Sequence, residues 1–218
     1  MFELFVTSDG SHTIKVPGLN EHYHSIHGAV QESKLVYVKN GSEFCVTNPM
    51  NIFEVGFGTG LNALLTATSD ANRNRMIYYT SIEKFPLSES TINSLNHWHF
   101  AGKEGKQIFD SIHEASWGSF SRITEYFHLK KLKGDFVNYL VEGKFDLIYF
   151  DAFGPDKQPE IWSRGVFEKV SEMTVSGGIF VTYSAKGEVK RLLKANGFKV
   201  TLLSGPPGKR EMIRAIKL

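Results

Sequence analysis

The chain has 218 residues, 41% of them hydrophobic, which suits one domain with a small extension. Its formal net charge of +2 excludes a strongly basic coat for nucleic acid, although a local basic patch stays possible. A single cysteine, Cys45, excludes an internal disulfide and a cysteine-based zinc site, and we read the protein as cytoplasmic. Early acids in MFELFVTSDGSHT argue against a signal peptide, and no apolar run nears the ~20 residues of a membrane span.

The first 48 residues differ from the rest in pattern, so we assign 1–48 to an N-terminal extension and 49–218 to the main domain. GSHTIKV and SKLVYVKNG predict strand pieces, with a segment between them that is rich in His, Ser and Glu. That segment holds His22, His24 and His27. The spacing H-x-H-x-x-H fits no zinc template, and no cysteine lies near, so we predict no metal site.

From Asn51 onward, strand patterns alternate with helix patterns. The first predicted strand ends at Asn51–Glu54, and another lies within ITEYFHLKKLKGD. The remaining predicted strands are Met76–Glu83, Phe145–Asp151, Gly177–Ser184, FKVTLLSG and MIRAIKL. Predicted helices are Leu61–Ser69, PLSESTINSLNHW opening on its proline, Gly105–Ala115 and EVKRLLKANG closed by Gly197. This alternation predicts a doubly wound α/β sheet, and the terminal strand pair predicts one antiparallel strand near the end.

A glycine loop, EVGFGTG (Glu54–Gly60), joins the first of these strands to a helix. Glycine permits positive φ and close backbone approach to a ligand, and the following helix offers unpaired N–H groups. The spacing G-x-G-x-G departs from the nicotinamide fingerprint G-x-G-x-x-G, because residue 61 is leucine. The alternative is a tight turn without a ligand.

Three acids follow three predicted strands. Glu83 could accept both hydrogen bonds of a ribose diol. Asp135 and Phe136 could hold an adenine: the carboxylate accepts from the exocyclic N–H of the base, and the phenylalanine ring packs on the base. Asp151, at the carboxyl end of the most apolar strand, should face the ligand cleft beside Phe153. The alternatives are an ordinary strand-end acid, a helix-capping aspartate and a solvated loop acid.

The glycine loop and the three acids resemble S-adenosylmethionine-dependent methyltransferases of the Rossmann type. DGSHT, EHYHSIHGAVQES, FEVGFGTGLNALLT, FDAFGPDKQPEIW and GKREM resemble the tRNA wobble-uridine methyltransferases, which comprise one half of bifunctional MnmC and the stand-alone MnmD type. The resemblance runs from about Thr7 to Ala215. It implies a mostly parallel seven-stranded sheet, S-adenosylmethionine as cofactor, the tRNA anticodon loop as partner, and no flavin domain in this chain.

The resemblance also implies a reaction. A methyl group passes to the primary amine of 5-aminomethyl-(2-thio)uridine at wobble position 34, giving 5-methylaminomethyl-(2-thio)uridine. Asp151 is the catalytic candidate, because a carboxylate beside the nitrogen stabilises the positive charge that develops there. Two roles are open for it, positioning the amine and receiving its proton, and a carboxylate is a weak base toward an alkylamine.

Site residues follow from the same resemblance. The expected cofactor-binding residues are Glu54, Gly56, Phe57, Gly58, Thr59, Gly60, Asn62, Glu83, Lys84, Asp135, Phe136 and Asp151. The expected substrate-binding residues are Tyr23, His24, Ser25, Glu32, Phe153, Lys186, Lys209 and Arg210. Residues 20–33 would form a lid, Phe57, Phe153 and Tyr23 would stack on the target base, and the three basic residues would contact phosphate.

Three other functions remain open on sequence alone. The first is a methyltransferase for a small amine or another RNA site. The second is a non-catalytic RNA-binding protein on a retired methyltransferase fold. The third is a nicotinamide dehydrogenase, which the glycine spacing disfavours.

Overall fold

The computed structural model describes residues 3–16 and 18–218; residues 1, 2 and 17 of the predicted extension lie outside the described part. The extension begins with a small antiparallel sheet in the order β1-β2-β3. Its strands are β1 (Glu3–Val6), β2 (His12–Val16) and β3 (Glu21–His22). The strand expected in GSHTIKV is therefore β2. The short strand β3 leads directly into the residues that border the cleft described below.

The main sheet has eight strands in the order β10-β11-β9-β8-β4-β5-β7-β6. Its strands are β4 (Met50–Val55), β5 (Ile77–Glu83), β6 (Phe120–Arg122), β7 (Phe127–Lys133), β8 (Phe145–Phe150), β9 (Thr174–Thr182), β10 (Phe198–Ser204) and β11 (Glu211–Lys217). Pairings among β7, β5, β4, β8 and β9 are parallel. Strand β11 is antiparallel to both neighbours, as predicted. The expected count of seven was one too few, because the three-residue edge strand β6 adds an antiparallel pair with β7.

Helices cover both faces of the main sheet. They are α1 (Ala29–Ser33), a π-helical segment (Lys34–Ser42), α2 (Leu61–Thr68), α3 (Glu89–Asn93), α4 (Gly105–Glu114), α5 (Arg164–Met173) and α6 (Gly187–Ala195). One-turn 3₁₀ helices occupy Asp70–Asn72, His97–Phe100 and Pro159–Trp162. One apolar cluster lies between the sheet and α2 with α4, and another lies between the sheet and α5 with α6. None of the helices in the described ranges has the length and apolarity to cross a membrane.

The segment SKLVYVKNG is helical, so its predicted strand is wrong. Val36, Tyr37 and Val38 follow one another and are all buried. Val38 packs in the cluster that includes α2, while Val36 and Tyr37 pack against the sheet. A segment enclosed on two sides buries consecutive side chains without strand alternation, and here tertiary packing overrides the strand propensity of a Val-Tyr-Val run. The helix expected to open at Pro86 begins later, at Glu89, where the Ser88 hydroxyl caps the Thr91 amide.

Candidate active site

A cleft of about 410 Å³ opens at the carboxyl ends of β4, β5, β7 and β8. This is the edge at which ligands bind in open α/β sheets. Predicted site residues that line it are Tyr23, His24, Ser25, Glu32, Gly56, Phe57, Gly58, Asn62, Glu83, Lys84, Asp135, Phe136, Asp151, Phe153 and Lys209. Its size lies within the range of small-ligand sites.

The glycine loop turns beneath this cleft with three residues at positive φ. Gly56, Gly58 and Gly60 have φ of 95°, 51° and 71°. A Cβ on Gly56 would lie 2.6 Å from the Asp151 carbonyl oxygen, which leaves no room for a side chain. A Cβ on Gly58 would lie 3.1 Å from the Tyr23 ring. The glycines are thus required by contacts within the chain as well as by any ligand above them.

Two predicted loop residues, Thr59 and Gly60, do not line the cleft, and a third, Phe57, lines it with a ring that is mostly buried. The Phe57 side chain is buried and packs edge-on against His113 and Trp117, so its ring is not available to stack on a base. Thr59 is fully buried, and Gly60 faces the Phe57 and His113 rings. These residues shape the loop from behind, because its tight turn directs alternate positions inward.

Glu83 lies at the end of β5 and is held in place by the backbone. Its Oε2 accepts a hydrogen bond from the Gly58 amide at 2.9 Å, and its Oε1 accepts one from the Phe85 amide at 2.8 Å. These two amides fix the orientation of the half-buried carboxylate at the edge of the cleft. Its contact with a ribose diol stays a prediction.

Asp135 and Lys84 form an ion pair along one side of the cleft. The Lys84 ammonium donates to Asp135 Oδ2 at 2.8 Å, and the Val137 amide donates to Oδ1 at 3.0 Å. The bond from Lys84 lowers the pKa of Asp135, which stays ionised at neutral pH. Phe136 beside it is buried against Phe53, so its ring contributes the floor of this end.

Sequence reasoning missed Phe85, which also lines the cleft. Its side chain is 66% exposed and directly follows the pair Glu83-Lys84. An exposed phenylalanine next to the ribose-binding candidate offers a flat surface to a base. Its position two residues after the strand-end acid was the available signal.

Asp151 follows β8 and is fixed by two donors. The Tyr37 hydroxyl donates to Oδ1 at 2.6 Å, and the Asn62 amide nitrogen donates to Oδ2 at 2.8 Å. Burial raises the pKa of Asp151 to about 6, while the bonds from Tyr37 and Asn62 oppose that rise. The group is a carboxylate at pH 7, with its remaining acceptor positions directed to the cleft it lines.

Behind Asp151 lies a buried polar network that corrects the expected role of Glu54. Asn62 donates its second amide hydrogen to Glu54 Oε1 at 3.0 Å, and Ser81 donates to Oε2 at 2.6 Å. Glu54 is 1% exposed, and burial raises its pKa to about 8. It does not line the cleft and cannot contact a cofactor there. Glu54 instead orients Asn62, whose oxygen also accepts a hydrogen bond from Ser33.

The N-terminal extension supplies one wall of the cleft. The Tyr23 ring lies over Gly58 and packs edge-on against Phe153, with 5.3 Å between ring centroids. Glu32 accepts a hydrogen bond from the Ser25 amide at 3.0 Å and forms an ion pair with Lys209. These contacts bring the predicted substrate residues of the extension to the same cleft as Asp151.

His24 supports the glycine loop from the extension. One of its ring nitrogens, Nε2, lies 2.7 Å from the Thr59 hydroxyl, which is itself buried. Burial lowers the pKa of His24 to about 4, so the ring is neutral at pH 7. Within 3–16 and 18–218, no three metal-binding side chains converge. The absence of a metal stays a prediction.

Two predicted substrate residues, Lys186 and Arg210, lie outside the cleft lining. Lys186 forms an exposed ion pair with Asp156, and Arg210 is exposed in the β10–β11 loop. Both residues follow strands that end near the cleft. A loop can turn away from the edge where its strand ends, so this position in the sequence does not by itself bring a side chain into the cleft. Lys209, the neighbour of Arg210, does point into the cleft.

Comparison with known proteins now identifies the family. A family model described as S-adenosyl-L-methionine-dependent methyltransferase (Methyltransf_30) matches residues 105–218. The chain belongs to this family. It is 32% identical over 209 residues to a tRNA 5-methylaminomethyl-2-thiouridine biosynthesis bifunctional protein MnmC from Idiomarina loihiensis, covering 88% of this chain and 34% of the relative. The chain thus spans about a third of the length of the curated relatives it matches.

Solved structures agree with this assignment. The crystal structure of MnmC2 from Aquifex aeolicus superposes with a TM-score of 0.79 at 26% identity, covering 99% of this chain and 70% of that one. A spermidine synthase from Thermotoga maritima superposes with a TM-score of 0.63 at 13% identity, covering 99% and 69%. The second likeness shows the fold alone. The predicted Rossmann-type methyltransferase fold and MnmC-like family are confirmed.

The cofactor of this family is S-adenosylmethionine, and the cleft fits it. A carboxylate of fixed orientation, Glu83, lines the cleft with Phe85 and Asp135, and the positive-φ glycines let the loop backbone pass beneath. The other end of the same cleft holds the Asp151 carboxylate. Which residues contact the cofactor stays a prediction.

Proposed function

We propose that this methyltransferase acts on tRNA, moving a methyl group to the primary amine of 5-aminomethyl-(2-thio)uridine at wobble position 34. The relatives that suggest this substrate are named for 5-methylaminomethyl-2-thiouridine biosynthesis. The observation that carries the proposal is the Asp151 carboxylate, which lines the cleft and is held there by Tyr37 and Asn62. An acceptor of fixed orientation suits an amine nucleophile, which must be aligned and gains positive charge during transfer.

S-adenosylmethionine supplies an electrophilic methyl group on a sulfonium. Asp151 accepts a hydrogen bond from the substrate amine and holds its lone pair in line, so that reaction does not wait on random orientation. As the nitrogen becomes cationic, the attraction of the carboxylate strengthens, which lowers the barrier. With a pKa of about 6, Asp151 is ionised at neutral pH but only weakly basic. Its main contribution is therefore orientation and charge stabilisation.

The target base has to leave its stack to reach this carboxylate. Phe153 and Tyr23 lie beside Asp151 in the cleft and offer rings for the extruded base. We propose that residues 20–33 of the extension serve as a lid over the cofactor and the base, with Tyr23, Ser25 and Glu32 on its inner side. The anticodon loop as partner and the cytoplasm as compartment belong to the same proposal.

Methyl transfer to two tRNA pools tests the proposal. One pool comes from cells that lack their own wobble methylation step, and the other comes from normal cells. The purified chain and labelled S-adenosylmethionine should convert 5-aminomethyl- to 5-methylaminomethyl-uridines only in the deficient pool, as seen by nucleoside mass analysis. Label in a different nucleoside, or on a small amine alone, would overturn the substrate while the family stands.

Replacing the carboxylate tests its role. Asp151→Ala should lower single-turnover methyl transfer by at least about 100-fold, which is typical for loss of one transition-state contact. Asp151→Asn, which keeps the size but not the charge, should fall almost as far. Cofactor affinity, measured by calorimetry, should change by less than about fivefold in both. Transfer at the unmodified rate in Asp151→Asn would remove charge stabilisation from the mechanism.

A further inference from the structure

A second concave surface lies on the main sheet, away from the active-site cleft. It has a volume of about 360 Å³ and is formed by β4, β5, β6, β7 and the segment 139–145. The apolar cluster of α5 and α6 reaches the floor of this cavity through Phe53, Leu132 and Phe145. Toward the edge strand β6 the same face of the sheet keeps Phe120 and Arg122 exposed, and we call this part the open face.

Residues that pair directly in neighbouring strands point to the same face of a sheet. One row across the open face is Phe120, Lys130 and Thr80, paired β6 to β7 and β7 to β5. The next row is Arg122, His128 and Tyr78 by the same pairings. The register thus sets aromatic rings and cations side by side on one face of the sheet.

The side chains of these rows contact one another. The Tyr78 ring lies 5.8 Å from that of Phe120 and 5.3 Å from that of His128, measured between centroids. The Lys130 ammonium lies 5.8 Å from the Phe120 ring. Phe120 is 50% exposed, so one side of its ring faces solvent. The Tyr78 and Phe120 rings meet edge to face, so Phe120 is the ring left to stack on a ligand. An exposed aromatic ring flanked by basic groups is a surface on which unstacked nucleotides bind.

Charge supports an anionic occupant. Arg122 and Lys130 occupy the two rows, and neither forms an ion pair within 3–16 and 18–218. Glu142 is the one acid among the residues that line this cavity in the described chain. A protein partner that docks on apolar surface would not need the exposed cations, whereas RNA phosphate does.

One segment of the chain borders the active-site cleft and then the second cavity. Residues 134–137 line the active-site cleft, and residues 139–145 line the second cavity. Along β5, Tyr78 lies five residues before Glu83, which corresponds to about 16 Å at the usual rise of a strand. The two surfaces are therefore close enough for one RNA stem-loop to contact both.

We infer that the open face around Phe120, Arg122 and Lys130 binds a second unstacked nucleotide and its phosphates in the RNA substrate, outside the target base. This inference rests on the proposed function. Phe120 stacks on the base, and the two cations contact the adjoining phosphates. The contact would hold the RNA while the target base occupies the cleft, so its loss should raise KM and leave kcat unchanged.

The first test measures RNA binding without chemistry. Affinity for an unmodified anticodon stem-loop RNA is followed by fluorescence anisotropy for Arg122→Glu/Lys130→Glu and for a control, Arg191→Glu/Lys199→Glu. The control changes charge equally, at exposed positions on α6 and β10. We expect about tenfold or greater weakening in the first variant only, with a salt slope shallower by about 1.4, or 0.7 for each lost contact. Equal affinities in the two variants would overturn the inference.

A second pair of variants separates stacking from packing. Phe120→Trp keeps an aromatic face and should bind RNA as the parent does, whereas Phe120→Leu keeps an apolar side chain and should bind about fivefold or more weakly. Thermal unfolding checks that both fold. If Leu and Trp behave alike, Phe120 does not stack. If Phe120→Leu changes the mass measured by sedimentation but binds RNA as the wild-type protein does, the open face is a contact between protein chains, and the inference is overturned.

Methyl transfer distinguishes failure of this inference from failure of the proposed function. Suppose that the wild-type protein methylates tRNA from cells that lack their own wobble methylation step. Arg122→Glu/Lys130→Glu should then raise KM for this tRNA, with kcat and cofactor affinity unchanged. If the wild-type protein methylates no tRNA, the proposed function is wrong. The anisotropy measurement still decides whether the open face binds RNA.

Discussion

Tyr37 sets the charge state of the candidate catalytic group. Burial raises the pKa of Asp151, and the hydroxyl of Tyr37 opposes this rise by donating to Oδ1 at 2.6 Å. The resulting pKa of about 6 leaves roughly a tenfold excess of carboxylate at pH 7. Activity that needs the carboxylate should accordingly decline as the pH falls through about 6.

Tyr37→Phe should move this acid limb to higher pH. Removing the donor destabilises the carboxylate, so the pKa of Asp151 rises further and single-turnover transfer at pH 6.5 should fall several-fold more than at pH 9. The limb that belongs to the substrate amine should stay in place. Tyr149→Phe is the matched control, because that buried hydroxyl pairs with Thr66 and not with Asp151. Parallel pH profiles for the two variants would contradict the argument.

Gly56→Ala should be far more damaging than its backbone angle alone explains. A positive φ costs a non-glycine residue about 1–2 kcal/mol, and here the new Cβ also meets the Asp151 carbonyl 2.6 Å away. We expect a free energy of unfolding lower by about 3 kcal/mol or more, measured by urea titration. Gly118→Ala is the control, since Gly118 has φ of 90° and no heavy atom within 4 Å of an added Cβ. Equal losses in the two variants would show that the contact with Asp151 adds nothing.

At the scale of elements, one ion pair joins the extension to the end of the main sheet. Glu32 belongs to α1, and Lys209 belongs to the β10–β11 loop. The ammonium of Lys209 also lies 3.8 Å from the Tyr183 ring centroid. Because Glu32 is buried, losing its partner leaves an uncompensated charge beside Asp151.

Lys209→Met should lower the free energy of unfolding by about 1–3 kcal/mol, since Lys209 is one-third exposed and water screens part of the loss. Adding Glu32→Gln should restore part of this stability, which a double-mutant cycle measures. Lys186→Met, which breaks the exposed pair with Asp156, should change stability by less than about 0.5 kcal/mol. Strict additivity in the cycle would mean that the pair does not couple the two elements.

The local pattern of apolar residues predicts a strand or helix well when the whole element packs in one kind of environment. FDLIYFD is almost continuously apolar because β8 is covered on both faces, and the sequence alone predicted this strand. SKLVYVKNG failed because its burial comes from two different neighbours, α2 and the sheet, which no local pattern encodes. The same limit applies to the short edge strand β6, whose three residues carry little periodicity.

Site prediction shows the same division. Glu83, Asp135 and Asp151 were placed in the cleft because parallel strands end at a common edge. Glu54 was misplaced because alternation along β4 turns it into the interior, toward Ser81 and Asn62. The role of Tyr37 could not be predicted at all, since it depends on how the extension packs across the sheet.

For the whole molecule, the modest net charge of +2 limits electrostatic attraction to RNA. Lys186 and Lys209 are engaged with carboxylates, which leaves Arg210, Arg122 and Lys130 as the better phosphate contacts. About three contacts predict a slope near −2 for log K against log salt. Binding of an anticodon stem-loop between 50 and 300 mM salt measures it. A slope steeper than about −5 would require a basic surface that the described chain does not offer.

Side chains of the extension complete the hydrogen-bond network of the candidate active site in the main domain. Tyr37 and Ser33 come from residues 1–48, yet they hold Asp151 and Asn62 of residues 49–218. A chimera that joins the extension of one relative to the main domain of another must therefore match across this network of side chains, however well each half folds. Recombination within the family should accordingly preserve both halves together, and shuffled genes with mismatched halves should give folded but slow enzymes.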